Sequence, residues 1–268
     1  MLQLKSFFSI ATCALTLCTT FSACSDDDGQ ELENPAPFNA PLTITVNGVS
    51  FVMMPVEGGT FTMGATSEQT GATSDESPTH NVTLSDYYIG ETEVTQELWS
   101  AVMGSNHSYF TGNIQHPVEN LWWDDCQTFI SRLNELTGAT FRLPTEAQWE
   151  YAARGGNQSK GYTYSGSNTI DEVAWYRDNS DITNPVKTKA PNELGIYDMS
   201  GNLVEWCSDW YDFYSSAAQT DPTGSATGSD RVTRGGCLSN SAAHCRVANR
   251  SYYAPANSDG GLGLRLAH

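Results

Sequence analysis

Residues 195–206, which read G-I-Y-D-M-S-G-N-L-V-E-W, constrain the fold more than any other segment, and we refer to them as the hub. Two glycines, aromatic residues and two carboxylates within so short a segment are typical of a packed loop rather than of a simple helix or strand. Asp198 and Glu205 can converge only if the backbone curls between them. A curled backbone also directs carbonyl oxygens inward, as in calcium sites. The spacing alone favours a simpler interpretation, in which both carboxylates accept hydrogen bonds from loop amides.

The composition permits a globular chain and excludes one class of partner. The 268 residues, 39% of them hydrophobic, suffice for one large domain or two small ones. The 13 basic and 31 acidic residues give a formal net charge of -18. This charge repels nucleic-acid phosphates and anionic lipid surfaces, so nucleic acid is not an expected partner.

The N-terminus has the features of an export signal. Lys5 is followed by an apolar run over residues 7–17 and then by F-S-A-C, which ends at Cys24. The run is too short and too polar to span a membrane. The sequence before Cys24 resembles a bacterial lipobox, which predicts that residues 1–23 are removed and that Cys24 is lipidated. Ordinary secretion with cleavage nearby is the alternative.

The segment after Cys24 predicts where the chain is displayed. Residues 25–28, S-D-D-D, resemble the acidic surface-export signature of lipoproteins in certain Gram-negative anaerobes. We therefore expect a lipoprotein of the outer membrane that faces the cell surface. Residues 24–40 contain further acidic residues and prolines and predict a flexible acidic tether.

Four cysteines follow Cys24, namely Cys126, Cys207, Cys237 and Cys245. In an exported protein they permit disulfides, but three pairings are open. Cys237 and Cys245 are close in sequence and lie in a glycine-rich loop, so they are the candidates for a disulfide or a thiol pair. Cys126 lies in a helical pattern and is expected to be a small buried hydrophobe.

The first half of the chain predicts short strands and a helix. Residues 42–54 alternate around Asn47-Gly48, which is a strong hairpin signal. Residues 59–63 predict another strand and residues 81–89 a further extended segment. Residues 95–103 predict a helix capped at or near its first residue.

Two more helices are predicted before the regular patterns fade. Residues 124–136 have apolar side chains at three-to-four spacing and Gly138 after the last turn. The following helix begins at Thr145, where Gln148 completes a capping box, and it ends at a Gly-Gly pair. From residue 156 onward Gly, Ser, Asn and Asp dominate, which predicts ordered loops. Since no tandem repeat is present, residues 41–268 are interpreted as one domain.

Several motifs along the chain carry a family resemblance. In order, they are E-G-G-T-F-T-M-G at 57–64, E-T-E-V-T-Q at 91–96, F-R-L-P-T-E-A-Q-W-E-Y-A-A-R-G-G at 141–156, G-N-L-V-E-W at 201–206, R-G-G at 234–236 and L-G-L-R-L at 262–266. Over about residues 49–268 the chain resembles the formylglycine-generating, sulfatase-modifying factor family. The resemblance implies an α+β fold, related to C-type lectins, with little regular secondary structure. Oxidase members of that family convert a sulfatase cysteine to formylglycine with oxygen and, in well-studied cases, copper held by two cysteines.

The resemblance also implies a calcium site at the hub. Asp198 and Glu205 would supply side-chain oxygens, and Gly201 and Leu203 would supply backbone carbonyls. Asp198 stands where the family usually has Asn. An all-oxygen donor set suits a hard cation, and a carboxylate in place of an amide is expected to strengthen the site.

The catalytic motif of the family, G-G-S-x-x-C-x-x-x-x-C, is not preserved. Asn240 occupies the position of the first cysteine, and Cys237 replaces the serine. Counting forward from R-G-G places Cys245 on the second cysteine. Counting back from the following R-V-A-N-R run keeps the remaining motifs in register and places Cys245 elsewhere. Val204 also stands where Trp is common in the family.

These departures make copper an unlikely cofactor, because copper(I) needs two soft thiolates and an Asn cannot supply one. Cys237 and Cys245 could still form a replacement pair. A cysteine near Arg234 and Arg246 would be expected to have a lowered pKa that favours the thiolate. His244 could assist a nucleophile or bind a metal, although a single histidine in an exposed loop usually does neither.

The loops near the C-terminus are the candidate recognition surface. We use the term C-terminal loops for residues 238–244 and 251–261, which are rich in Ser, Asn, Tyr, Asp and Gly. Tyr252 and Tyr253 beside small polar residues resemble a recognition surface, since tyrosine gives rigid amphipathic area at little entropic cost. We therefore expect a protein or glycan partner here. Ordinary loop composition is the alternative.

The sequence thus predicts a surface-anchored lipoprotein whose formylglycine-generating-enzyme-like domain is a non-oxidase binding or envelope-assembly module. The alternative is an oxidoreductase that converts a sulfatase cysteine to formylglycine. An enzyme needs free thiols that respond to metal, whereas a binding module needs neither free thiols nor a response to metal. An assembly component should co-purify with envelope proteins.

Overall fold

A computed structural model describes residues 38–268, so the predictions for the signal peptide, Cys24 and most of the tether lie outside the described residues. Strands and helices are mixed along the chain, which confirms the expected α+β class. The strands are β1 Leu42–Val46, β2 Val49–Val56, β3 Gly59–Met63, β4 His80–Leu84, β5 Tyr87–Gly90, β6 Val204–Trp210, β7 Gln219–Thr220, β8 Arg231–Arg234, β9 Arg250–Tyr253 and β10 Leu262–Gly263. The helices are α1 Gln96–Met103, α2 Trp123–Thr137, α3 Glu146–Ala153 and α4 Ile170–Val173.

The predicted hairpin is formed by β1 and β2. Asn47 and Gly48 both have positive φ angles, 48° and 84°, as a two-residue hairpin turn requires. Strand β5 pairs with the other edge of β2 and completes a three-stranded sheet. The segment that was expected to be extended over residues 81–89 does form strands. It is two strands of different sheets, because β4 pairs with β3 whereas β5 pairs with β2.

The three longer helices form where their end signals predict. In α1, the Thr95 hydroxyl accepts a hydrogen bond from the Leu98 amide. Helix α2 extends one residue beyond the prediction at each end and stops at Gly138, which is left-handed. The capping box of α3 is present, since Thr145 and Gln148 each bond the other's backbone amide. Within residues 38–268 no helix is long and apolar enough to cross a membrane.

The sheet that positions the hub has the strand order β10-β6-β8-β9. The packed loop predicted for the hub ends at Leu203, because the last three hub residues begin strand β6. Strand β6 pairs in parallel with β10 and antiparallel with β8. Glu205 therefore lies in the centre of a sheet and Trp206 in the core, rather than in a loop.

The second half of the chain is rich in ordered loops, as predicted. Residues 174–203 contain no helix or strand. Hydrogen bonds from side chains replace the backbone hydrogen bonds of helices and sheets there. The Asn192 side chain, for example, accepts hydrogen bonds from the amides of Leu194 and Ile196 and donates to the Ala152 carbonyl. Such buried amides fix one loop conformation because each satisfies several backbone groups at once.

Candidate functional site

Glu205 lies at the centre of the hub and is fully buried. The Arg265 guanidinium donates from Nε to both carboxylate oxygens at 3.0 Å and from Nη2 to Oε1 at 2.7 Å. The Trp149 indole donates to Oε2 at 2.6 Å. Glu205 is therefore the anionic half of a buried ion pair with a cation supplied by the chain itself.

Asp198 is the second carboxylate of the hub and is 3% exposed. Its Oδ2 accepts a hydrogen bond from the Lys187 amide at 2.9 Å. Burial raises the pKa of Asp198 to about 6, although this hydrogen bond and Arg265 oppose the shift. The backbone of Asp198 is left-handed, with φ 59°, which provides the curl that the sequence predicted.

A third carboxylate, Glu93, joins the hub from the segment before α1. It is buried and accepts hydrogen bonds from the Asn202 side chain at 2.8 Å and from the Leu203 amide at 3.0 Å. Burial, together with the charges of Asp198 and Glu205, raises the pKa of Glu93 well above its usual range. Three buried carboxyl groups thus lie around one guanidinium. Since the raised pKa favours the neutral form of Glu93 and Arg265 neutralises Glu205, the excess negative charge at neutral pH comes from Asp198.

The donor set of the hub suits a hard cation in part. The carbonyl oxygens of Gly201 and Leu203 accept no hydrogen bond from residues 38–268. Together with Asp198 they offer oxygen ligands beside excess negative charge, the chemistry that calcium requires. Glu205 already accepts hydrogen bonds at both oxygens, so a cation would have to share it with Arg265. In the part of the chain that the structure describes, no three His, Cys, Asp or Glu side chains are arranged to hold a metal ion.

Three residues of the hub environment, Glu93, Trp149 and Arg265, were not predicted from the sequence. Each lies within a motif that carried the family resemblance: E-T-E-V-T-Q, the α3 segment and L-G-L-R-L respectively. Their presence in these motifs was the available signal. Their convergence at the hub could not be predicted, because it joins parts of the chain that are up to about 170 positions apart. The loops between these parts carry no periodic sequence pattern.

Cys237 and Cys245 are both buried and are free thiols, so the disulfide that the sequence allowed is not formed in the structure. The Cys237 Sγ lies 3.2 Å from Ser239 Oγ and 3.4 Å from Asn240 Oδ1. The Cys245 thiol donates to the Ser241 carbonyl at 3.7 Å. Asn240 has a structural role, since its side-chain oxygen accepts from the Cys237 amide at 3.0 Å.

The thiolate expected beside Arg234 and Arg246 is wrong. Burial raises the pKa of Cys237, and burial raises the pKa of Cys245 to about 12. The two arginines do not oppose the shift because carboxylates already neutralise them. Arg246 binds Glu76 at 2.6 Å, and Arg234 binds carboxylates of α3, the shortest contact being 2.5 Å. Both thiols are therefore protonated at neutral pH.

His244 is exposed, and its Nδ1 lies 2.9 Å from the Ser241 hydroxyl. It borders a cavity of about 60 Å³ that Val204, Asn240 and Arg234 also line. This volume accommodates a few water molecules and not a peptide side chain with its backbone. The position that resembles the family's catalytic centre is thus a closed, largely filled space.

A larger cavity of about 330 Å³ opens beside the C-terminal loops. Tyr109 and Phe110 form one wall, with ring centroids 5.0 Å apart in an edge-to-face arrangement. Leu238 and Asp259 lie on the side of the C-terminal loops. Tyr109 is 77% exposed, which is unusual for so large an apolar ring. This wall could not be predicted, because residues 105–120 carry no regular sequence pattern.

The two adjacent tyrosines of the candidate recognition surface point in different directions. Because side chains alternate along a strand, β9 directs Tyr252 outward and Tyr253 inward. Tyr252 is 53% exposed and packs on Tyr211 with ring centroids 4.4 Å apart. Tyr253 instead contacts the core ring of Trp206. Of the two tyrosines, Tyr252 is the one that is largely exposed to solvent.

Comparison with known proteins gives a consistent result. Residues 48–268 match the family model described as a sulfatase-modifying factor enzyme 1-like domain. A chaperone protein LppX of Paenibacillus barcinonensis is 39% identical over 61% of this chain and 73% of its own length. The formylglycine-generating enzyme of Streptomyces coelicolor is 30% identical over 79% of this chain and 87% of its own. Among solved structures, Treponema denticola variable protein 1 aligns with a TM-score of 0.77 and 34% identity, covering 85% of this chain and 98% of that one.

Proposed function

The chain belongs to the family of sulfatase-modifying factor enzyme 1-like domains, and we propose that within this family it is a non-oxidase binding or envelope-assembly module. The observation that carries the proposal is the state of the two thiols. Cys237 and Cys245 are buried, separately hydrogen-bonded and protonated. A copper(I) oxidase centre needs two thiols in one site that the metal and the substrate can reach, and both of these thiols are buried.

The residue at the first cysteine position supports the same proposal. Asn240 holds the turn over Cys237 through its side-chain oxygen. Restoring a cysteine there would remove that hydrogen bond. The adjoining cavity of about 60 Å³ leaves no room for a substrate peptide beside a metal.

We place the partner at the C-terminal loops, in the cavity of about 330 Å³ with its exposed Tyr109 wall. An exposed aromatic ring beside a mostly apolar cavity is typical of a protein-binding anchor. The relative from Paenibacillus barcinonensis carries the name of a chaperone, which favours a polypeptide partner over a glycan. A glycan remains the second arm of the test.

We propose further that the chain is a lipoprotein held at the outer membrane through Cys24 and displayed at the cell surface, with calcium as a structural ion of the hub. Cys24→Ala is expected to move the protein from the membrane fraction to the soluble fraction. The measurement is fractionation followed by immunoblotting, with Cys126→Ala as a control for the loss of one thiol. Unchanged partitioning of the Cys24 variant would contradict lipidation.

The oxidase alternative is tested by copper titration of the reduced protein and by oxygen consumption with a cysteine peptide of the sulfatase type. We expect neither stoichiometric copper(I) binding nor turnover. Copper binding that disappears in Cys237→Ser and in Cys245→Ser, together with oxygen uptake, would establish a rearranged oxidase and overturn the proposal.

The binding function is tested by suppression of aggregation of a model unfolded polypeptide and, separately, by binding to a glycan array. We expect Tyr109→Ser to reduce the suppression several-fold. Leu136→Ser is the matched control, because Leu136 is 51% exposed at the end of α2 and does not line the cavity. Equal effects of the two substitutions would indicate that the surface acts only through general hydrophobicity. Binding to an array glycan that depends on Tyr109 would replace the polypeptide partner.

A further inference from the structure

A third cavity, of about 520 Å³, lies apart from the hub and the C-terminal loops. It forms where the end of β6, the first turn of α3 and the start of β9 meet the loop of residues 212–225. No part of the proposed function uses it. Its volume is within the range of cavities that bind small molecules or single side chains.

The charges that line this cavity do not balance. Glu146 is neutralised, because Arg250 donates to its two oxygens at 2.6 and 2.8 Å and Arg234 donates at 3.1 Å. Within residues 38–268 the Asp209 and Asp212 carboxylates have no basic partner at hydrogen-bond distance, although Arg250 donates to the Asp212 carbonyl at 3.0 Å and His80 also lines the cavity. Asp212 therefore leaves negative charge at the wall, and Asp209 adds to it once it is ionised, above its pKa of about 7.

Asp209 is 4% exposed and has one oxygen free for a ligand. Its Oδ2 accepts hydrogen bonds from the Glu146 amide and the Ser208 hydroxyl, both at 3.0 Å. Its Oδ1 accepts no hydrogen bond from any residue in the range 38–268, although the residue lines the cavity. This oxygen is accessible from the cavity, so it can accept a hydrogen bond from a charged donor there.

Asp212 and Phe213 stand at the mouth of the cavity. Asp212 is exposed, and its Oδ1 accepts from the Phe213 amide, so its second oxygen is free. The Phe213 ring is 80% exposed. An exposed aromatic face beside free carboxylate oxygens suits a flat or compact organic cation.

The surrounding aromatic rings already show this chemistry with the chain's own arginines. The Arg231 guanidinium lies 3.4 Å from the ring centroid of Trp210, and that of Arg250 lies 3.9 Å from the ring centroid of Tyr214. Within the part of the chain that the structure describes, no cation is recorded over Phe213. Among the rings of Trp210, Tyr214 and Phe213, that of Phe213 is therefore the one available to an external cation.

We propose that this cavity binds the guanidinium or ammonium group of an organic cation, with Asp209 and Asp212 as its anionic ligands and Phe213 covering its face. An inorganic anion is disfavoured by the two free carboxylates. A cavity of about 520 Å³ exceeds the charged group alone, so it also holds the aliphatic stem that bears the group. The cation is either a small free amine or a basic side chain of a polypeptide.

The test uses the full chain, purified in detergent, and isothermal titration with N-acetyl-arginine amide at low ionic strength and pH 8, where Asp209 is ionised. N-acetyl-citrulline amide is the matched ligand control, because it has nearly the same shape and no charge. We expect saturable binding of the arginine compound and at least tenfold weaker binding of the citrulline compound. Equal binding of the two, or no binding of either, would overturn the proposal.

Two variants locate the site. Asp209→Asn and Asp212→Asn are each expected to weaken binding of N-acetyl-arginine amide at least fivefold. Asp212 is exposed, so its variant tests the site even if the buried substitution impairs folding. Asp178→Asn is the charge-matched control, since Asp178 is exposed and distant in sequence from the cavity residues. If all three variants weaken binding equally, the cation is attracted only by the net charge of the chain, and the proposed site is wrong.

The two sources of the cation are distinguished by a second ligand, the pentapeptide Gly-Gly-Arg-Gly-Gly with blocked ends. Tighter binding of the peptide than of the single amino-acid derivative, with the same dependence on Asp209 and Asp212, supports a polypeptide source. Equal affinities support a small free cation. Peptide binding that is insensitive to both substitutions would place it at another surface and contradict the proposal.

Discussion

Arg265 binds Glu205 through Nε and Nη2, and this pair is fully buried between β10 and β6. It determines what the hub can do, because the residue expected to ligate a cation already has a permanent cationic partner. A buried charge that loses its partner is far more costly than an exposed one. We therefore expect the stability that this pair gives to the hub not to depend on calcium.

Glu205→Ala is expected to lower the free energy of unfolding by about 3–5 kcal/mol both with and without calcium, because it leaves Arg265 buried and unpaired. The measurement is urea unfolding in calcium and in chelator. The double variant Glu205→Leu with Arg265→Met is the control and should recover part of the loss, since it removes both charges. A loss that appears only with calcium would show that Glu205 acts mainly as a metal ligand.

The calcium site itself is better tested at Asp198, whose carboxylate has one hydrogen bond to the Lys187 amide and no ion pair. If calcium binds the folded hub, saturating calcium should stabilise the wild type, by about 2.7 kcal/mol at one hundred times Kd. Asp198→Ala should abolish this increment. Thermal unfolding in calcium and in chelator measures it, with Asp178→Ala as the control. An increment that persists in the Asp198 variant would place calcium elsewhere.

The elements with local end signals could be predicted from the sequence, whereas the partners of the buried charges could not. Asn47-Gly48 and the Thr145 capping box are local, and both form as predicted. The hub was predicted to curl, and it does so at Asp198. Arg265 was out of reach, because its choice of Glu205 depends on a parallel pairing between β6 and the two-residue strand β10.

The recognition surface shows a second limit of sequence interpretation. Tyr252 and Tyr253 are adjacent in sequence, but one faces solvent and the other contacts Trp206 because they lie in a strand. The environment of the cysteines shows a third limit of sequence interpretation. Arg234 and Arg246 are close to the thiols in sequence, yet glutamates from distant segments neutralise their charges. Composition indicates which charges exist, and only the fold decides which of them neutralise one another.

The thiols of the domain are expected to be unreactive while it is folded. All four cysteines after Cys24 are buried, and burial raises the pKa of each thiol. Modification by a thiol reagent at pH 8 should therefore be at least a hundredfold slower in the native protein than in urea. Unfolding should expose all four. A native Cys237 or Cys245 that reacts as fast as a free thiol would contradict the structure and would reopen the oxidase alternative.

Asp209 is expected to make stability depend on pH, because burial and the neighbouring Glu146 raise its pKa to about 7 while Arg250 opposes the shift. Its usual value is 3.8. Between these values the folded state binds more protons than the unfolded state, so the stability that Asp209 contributes is fully present below about pH 4 and is lost as the pH rises through 7.

Asp209→Asn removes this titration and keeps one acceptor oxygen for the Glu146 amide. Relative to the wild type, the variant should therefore gain stability between pH 5 and pH 8, on the order of 2–3 kcal/mol. Urea unfolding of both proteins at the two pH values measures the difference, and Asp178→Asn should show none. A constant difference between variant and wild type across this range would mean that Asp209 is already ionised in the folded protein at pH 5. In that case the ionised carboxylate would need a further hydrogen-bond donor at Oδ1, beyond the Glu146 amide and the Ser208 hydroxyl that bond Oδ2.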